Sequence, residues 1–375
     1  MLIAELMTYA ATLAAERGVR VASALGIAPA KELNWAFEAG LGPLLHHATL
    51  ADAERLPATV RNVLLGANLT AQVLQAERLD TVGEIIDICT DIGVPVVLLK
   101  GISVSTQFYP ESHFRPMTDV DILVPEAGAV AVEAIALRKG FQHGRPVMEP
   151  NSHHREPLYH REKHTKVEIH TGLFQNPRLR QGRLFDPARV LLESVPCQIH
   201  GRQARCLPDD LQLAYIASSW TKDLSEQPIH PSLITPVFDA IHLLRASGGT
   251  LDWHKLFASL DNELAAASLY VLIVCLVRMN HPGVPPSLVA ALRDRQSIIG
   301  ERELRILLAL IDDFLVAGRP FPFFNSWHVW VNLFKPGAHT GKLLMLPWRI
   351  AFPPTYPHRF NVLLQARRVK HWFRG

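Results

Sequence analysis

Cysteine is scarce in this 375-residue sequence: there are four, none in a C-x-x-C pair. A chain of this size needs no disulfide frame, so Cys89, Cys197, Cys206 and Cys275 read as reduced core thiols of a cytoplasmic protein. Long hydrophobic runs are missing too. The apolar stretch Leu264–Val277 has 14 residues. That is short of the ~20 that cross a bilayer, so it reads as a buried helix and no transmembrane segment is expected. The N-terminus has no basic segment, and Glu5 breaks its first apolar stretch, which argues against a signal peptide. There is no G-x-S-x-G elbow, no G-x-x-x-x-G-K-[ST] phosphate loop and no dinucleotide glycine fingerprint. Hydrolase, P-loop and dinucleotide-binding readings lose their usual support.

Acidic residues stop at Asp313. Beyond it lie nine cations: Arg319, Lys335, Lys342, Arg349, Arg359, Arg367, Arg368, Lys370 and Arg374. Taken from a net charge of +3, these nine leave −6 for the rest of the chain. The same segment is rich in Phe and Trp. Basic plus aromatic composition suits a membrane surface or nucleic acid. It equally suits a helical layer facing a cleft, or a solvated basic surface over an aromatic core.

What is present describes a globular protein. An apolar fraction of 48% with 19% charged residues supports a real core and excludes disorder by composition. The length suggests two or three domains. Residues 1–90 read as helices, with apolar positions three and four apart: Val63, Leu64, Leu69, Val73, Leu74, Leu79, Val82, Ile85, Ile86 and Ile92. Gly93 is placed to end the last helix. The pattern then changes. Val94–Leu99 is a short, partly β-branched apolar run and predicts a buried strand, with a short helix after Gly101. Asp119–Val124 predicts a second strand, and Glu126–Lys139 a helix closed by Gly140. Two more strands are expected near Glu156–His160 and Thr165–His170. From Leu184 onward the spacing is helical again. The expectation is an α+β fold: a small mixed sheet at 91–183 between helical regions at 1–90 and 184–375.

The chemistry concentrates in the middle part. In a strand, Asp119-Val-Asp-Ile122 sends both carboxylates to one face and Val120 and Ile122 to the core. Two carboxylates so placed can share a hard cation. Mg²⁺ takes one or two protein carboxylates and completes its shell with phosphates and water. Two such ions would stabilise both attacking and leaving oxygens in phosphoryl transfer. An amphipathic strand with a wet face is the plainer alternative.

Other residues join this pair. Leu99-Lys100-Gly101 sits where a strand becomes a helix, so a phosphate could approach the glycine and the free helix N–H groups. Lys100 would add a charge there and Ser103 a hydroxyl. Arg115 precedes the aspartates and could make a forked contact with a triphosphate. In Lys166-Val-Glu-Ile-His170, Val167 and Ile169 face inward, while Lys166, Glu168 and His170 share the opposite face. Glu168 supplies a third carboxylate, as a ligand or as a base for an acceptor hydroxyl. Lys166 and His170 are candidates for the acceptor side.

These residues resemble a known family. Val96-Val-Leu-Leu-Lys-Gly101, Tyr109-Pro110, Arg115-Pro116 and Asp119-Val-Asp-Ile-Leu-Val124 look like the uncharacterised nucleotidyltransferase family of the DNA-polymerase-β-like superfamily. Gly140-Phe141, Glu168-Ile-His170, Phe238-Asp239-Ala240-Ile241, Leu251-Asp252-Trp253 and Phe352-Pro353-Pro354 extend the likeness. The resemblance implies a small mixed sheet flanked by helices and Mg²⁺-dependent transfer of a nucleotidyl group from an NTP such as ATP. The acceptor would be a small molecule, peptide or protein. It further implies Asp119 and Asp121 as metal ligands, Glu168 as the third carboxylate, and Lys100, Gly101 and Arg115 as triphosphate contacts. Transfer of another phosphate-linked group, such as a sugar, and an inactive scaffold with this fold are the rival readings.

Histidines cluster at His143, His153, His154, His160, His164 and His170. The run His160-Arg-Glu-Lys-His164 is not H-E-x-x-H, and its segment reads as strand and loop, so zinc is disfavoured. A polar rim around an anionic substrate is expected instead.

Overall fold

The computed structural model describes residues 2–144, 153–226 and 230–318. The basic, aromatic C-terminal segment and Phe352-Pro353-Pro354 lie outside the described residues. Four helices open the chain: α1 (Leu2–Thr12), α2 (Ala15–Ile27), α3 (Ala30–Glu38) and α4 (Gly42–Thr49). The 34-residue helix α5 (Ala58–Asp91) then carries the chain to the sheet. It ends as its sequence predicts. Gly93 adopts φ +67°, its N–H donates to Thr90 O and that of Val94 to Cys89 O, the paired bonds of a Schellman cap.

Only part of the α5 pattern faces the core. Leu64, Leu79, Val82, Ile85 and Ile86 are buried, but Val63, Leu69, Val73, Leu74 and Ile92 are exposed. Periodicity identified the helix correctly and does not say which apolar side finds a partner.

The strands are β1 (Val97–Leu99), β2 (Asp119–Leu123), β3 (Phe141–His143), β4 (Leu158–His160), β5 (Lys166–His170), β6 (Val195–Ile199) and β7 (Arg202–Cys206). They form one mixed sheet in the order β3-β4-β5-β2-β1-β7-β6. Helix α6 (Lys100–Gln107) follows β1 directly, and α7 (Glu126–Arg138) links β2 to β3. Strands β2 and β5 are parallel neighbours, with Asp119 opposite Lys166 and Asp121 opposite Glu168. Alternation holds as expected. Leu98, Val120, Ile122, Val167 and Ile169 pack in one cluster with the C-terminal half of α5 and with α7. The acidic residues of β2 and β5 therefore lie on the other face.

The helical reading beyond Leu184 needs correction at 195–206. After α8 (Pro187–Glu193), β6 and β7 form a hairpin, and β7 pairs in parallel with β1. The sheet thus reaches past residue 183. The cysteine reading changes with it. Cys197 and Cys206 are joined across this hairpin by a disulfide, while Cys89 and Cys275 remain free and buried. Two thiols nine positions apart in sequence carry no pairing signal, but the hairpin brings their Cα atoms to 6.1 Å, within disulfide reach.

Helices then complete the described chain: α9 (Asp209–Glu226), α10 (Thr235–Ala246), α11 (Trp253–Ser259), α12 (Glu263–Arg278), α13 (Ser287–Arg293) and α14 (Glu301–Leu310). Helix α12 is buried along nearly its whole length, as the uncharged run predicts. Among the described residues no helix is long and apolar enough to cross a membrane. Helices α1–α4 and α9–α12 share one hydrophobic cluster with Val97, Leu99 and Leu123, so the helical halves close over the acidic face of the sheet.

Candidate functional site

The site is built on β2 and β5. A buried carboxylate must be paired or it destabilises the fold, and Asp121, only 1% exposed, is paired twice. Lys100 Nζ lies 2.6 Å from its Oδ1, and His170 Nε2 donates to the same oxygen at 2.7 Å. Burial alone would raise the Asp121 carboxyl. The charge of Lys100 and the contact with His170 outweigh it and bring it to about 2. Burial likewise works against the Lys100 ammonium, but Asp121 more than compensates and raises it.

Glu168 lies on the neighbouring strand, with Lys166 Nζ 2.5 Å from Oε1 and His170 Nε2 3.6 Å from Oε2. Burial would raise this carboxyl too. His170, Lys166 and Lys100 hold it well below the ordinary carboxylate range. Lys166 Nζ also reaches Asp119 Oδ2 at 3.1 Å. Three carboxylates therefore share one face, held together by two ammonium groups.

Ligating atoms of Asp121, Glu168 and His170 all lie within 4.8 Å of one another. This close set differs from the expected one, because His170 replaces Asp119, which turns to Lys166. His170 is fully buried, and its Nδ1 has no hydrogen-bond partner. An imidazole that binds a metal through one nitrogen normally donates from the other. His170 donates from Nε2 to Asp121 and keeps Nδ1 free, so it is able both to orient that carboxylate and to act as a ligand, beside carboxylate oxygens that make a hard donor set.

The phosphate-side candidates divide. Lys100 adopts φ +44°, a left-handed conformation that costs a non-glycine residue about 1–3 kcal/mol and persists where the surroundings enforce it. The strand-to-helix turn aims its ammonium at Asp121. At Gly101 an added Cβ would lie 2.5 Å from Arg115 Nη1 and 3.1 Å from Met117 Cβ, so the glycine makes room for the guanidinium. Arg115 is itself fully engaged. Its Nε and Nη2 donate to Asp239 Oδ1 and Oδ2 at 3.2 and 2.9 Å, and its Nη1 donates to Pro116 O. Tyr109 also donates to Asp239, at 2.8 Å. This buried trio ties the β1–β2 segment to α10. Ser103 is fully buried and turned toward Gln107 and Gln212 of α9.

The histidines divide as well. His153 and His154 pack against His170 in tilted and edge-on arrangements, with ring centroids 5.1 and 5.3 Å away. Burial and neighbouring positive groups push His153 down to about 2. His160 packs on Phe141 and accepts the N–H groups of Glu162 and Lys163. His160–His164 is thus a hairpin turn between β4 and β5, and its two rings do not share a helix face. His143 lies between Glu133 and Glu156.

Two acids of the helical half were not singled out from sequence as site residues. Asp239 interrupts an otherwise apolar stretch, Phe238-Asp239-Ala240-Ile241, and that interruption was the available signal. Asp223 of α9 has a carboxyl raised by burial. It senses Lys222 and Lys100, and then Asp121 and Asp119. Nothing in its local sequence marks it.

The sequence profile described as "Uncharacterised nucleotidyltransferase" matches residues 27–281. No curated protein matches the chain. Among solved structures, the antibiotic-resistance factor ANT(2'')-Ia is similar at 13% identity and a TM-score of 0.33, over 54% of this chain and 97% of that one.

Proposed function

The chain belongs to the uncharacterised nucleotidyltransferase family, and from that premise we propose that it moves a nucleotidyl group from an NTP to an acceptor hydroxyl with Mg²⁺. Asp121 and Glu168 are the inner ligands in this reading. Asp119, at the open end of β2, completes the set for the triphosphate or a second ion. The observation that carries the reading is three carboxylates on adjacent parallel strands, balanced by Lys100, Lys166 and His170. A bound Mg²⁺ would neutralise the triphosphate and align its α-phosphorus.

The chain's own groups do the positioning. His170 holds Asp121 in one orientation. Lys100 and Lys166 release their carboxylates and turn their charge to the phosphates and the acceptor side. Gly101 and the start of α6 supply backbone N–H groups to the phosphates. Arg115 acts through position, since Asp239 fixes its guanidinium beside Gly101. Such a site works by orientation and charge stabilisation. The test is incubation of the protein with α-labelled NTPs and a cell extract, beside Asp121→Asn. Transfer of label by the parent protein and loss of it in the variant are expected. Equal labelling by both would end the proposal.

A further inference from the structure

Arg115, the arginine expected at the phosphates, is engaged elsewhere, with Asp239 and Pro116 O. The proposed site keeps its lysines, but the planar, two-pronged contact with phosphate oxygens is one that a guanidinium makes. Helix α5 brings another guanidinium to the site. Leu64 belongs to the hydrophobic cluster on the acidic face of the sheet, and Leu79 to the cluster on the opposite face. Between these two residues α5 passes the end of the sheet. Met117, two residues before Asp119, shares the cluster of Leu79. Asn68 Oδ1 of α5 lies 3.0 Å from Nε2 of His113, in the segment that leads into β2. The helix therefore crosses at the start of β2, where Asp119 stands.

Gln75 and Arg78 sit in that crossing, three residues apart on one side of the helix. Arg78 is half-buried, and among the described residues it makes no hydrogen bond or ion pair. The charges near it are those of Glu77 and Asp119. Burial outweighs both and lowers its pKa, yet a guanidinium stays protonated. Asp119 is drawn to Lys166 instead, at 3.1 Å. Gln75 is only 3% exposed, and its amide nitrogen has no hydrogen-bond partner among the described residues. Donors withdrawn from water without an acceptor destabilise a fold. An anion held at the start of β2 would satisfy both side chains.

We propose that Arg78, with the Gln75 amide beside it, binds the terminal phosphates of the NTP. This assignment rests on the nucleotidyl-transfer reading and adds to it the residue that grips the leaving pyrophosphate.

The test is calorimetric titration of Mg²⁺–tripolyphosphate into the full chain, Arg78→Ala and Arg78→Lys. The parent should bind. Arg78→Ala should weaken binding about tenfold or more, and Arg78→Lys should recover only part of the loss, since an ammonium cannot make the forked contact. Mg²⁺ alone should raise the melting temperature of all three proteins alike. Equal tripolyphosphate affinity in parent and variants would overturn the proposal and leave nucleotidyl transfer standing. Loss of the Mg²⁺ response together with the phosphate affinity would also overturn it, because Arg78 would then be maintaining the metal pair. A parent that binds neither tripolyphosphate nor any ribonucleoside triphosphate would overturn both readings. If Arg78→Ala does not fold, Arg78→Lys decides: it keeps the charge and lacks the fork, and an affinity equal to the parent's would overturn the proposal.

Discussion

Lys100 Nζ stands 2.6 Å from Asp121 Oδ1, held there from a left-handed backbone position at the junction of β1 and α6. The ammonium supplies Asp121 with the positive charge that a cation bound to the Asp121–Glu168 pair would also supply. In the proposed function, lysine and metal are alternative partners of one buried carboxylate.

Lys100→Ala separates these partners. Asp121 keeps His170 and loses its countercharge, so the variant should lose about 1–3 kcal/mol of stability in EDTA. Addition of Mg²⁺ should then stabilise the variant more than the parent, because the ion no longer competes with the ammonium. Urea unfolding with and without Mg²⁺ measures both. Equal Mg²⁺ responses would show that the lysine and the ion do not share the carboxylate.

The Arg115–Asp239 pair predicts a different outcome, independent of metal. Both side chains are largely buried, at 14% and 4% exposure, and removing one leaves the other uncompensated. Arg115→Ala should cost about 3–5 kcal/mol in urea unfolding. Arg115→Lys should recover little of that, since an ammonium cannot make the forked contact. The Arg115→Ala/Asp239→Ala double variant should lose less than the sum of the singles. Strict additivity would deny the pair its role as the tie between sheet and α10.

The parts of this architecture that were legible in the sequence are those with a local signature. The period-2 alternation of Asp119–Leu123 and Lys166–His170 placed their carboxylates on one face, and Gly93 announced the end of α5. The hairpin at 195–206 escaped because β6 is largely solvent-facing and both strands mix polar with apolar residues without a clean hydrophobic alternation. The role of Arg115 escaped because its partner lies 124 positions away, and a cation preceding two aspartates reads locally as a phosphate ligand. His170 was placed on the correct face, but its complete burial comes from the covering helices, which strand alternation does not reveal.

Buried histidines set the first window of acid sensitivity. His242 is fully buried against Tyr109, at 4.0 Å between ring centroids, and both its ring nitrogens are unpartnered. Burial, then the charge of Arg245, lowers its pKa well below the ordinary 6.5. The unfolded chain takes up this proton and the folded chain does not, so stability present above pH 6.5 is lost as pH falls below it. The slope should be about 1.4 kcal/mol per pH unit for this one proton. His242→Leu should flatten the profile between pH 6 and 4 by about that amount. A profile as steep as the parent's would assign the loss to other groups.

Asp121 governs a lower window. Its carboxyl is depressed from 3.8 to about 2, so its stabilisation is complete above pH 4 and is lost as pH falls through 2. A shift of that size corresponds to roughly 2 kcal/mol. Asp121→Asn removes the titration and also the charge that Lys100 and His170 were arranged around. In EDTA the variant should be less stable than the parent at pH 7, and the difference should shrink as pH approaches 2. Divalent cation should stabilise the parent at pH 7 and leave the variant nearly unmoved, because Asn offers a neutral oxygen where the site needs a carboxylate. Thermal melts across pH 2–7, with and without Mg²⁺, separate the two effects. A variant that keeps the Mg²⁺ response would move the ligand role from Asp121 to Asp119 and Glu168.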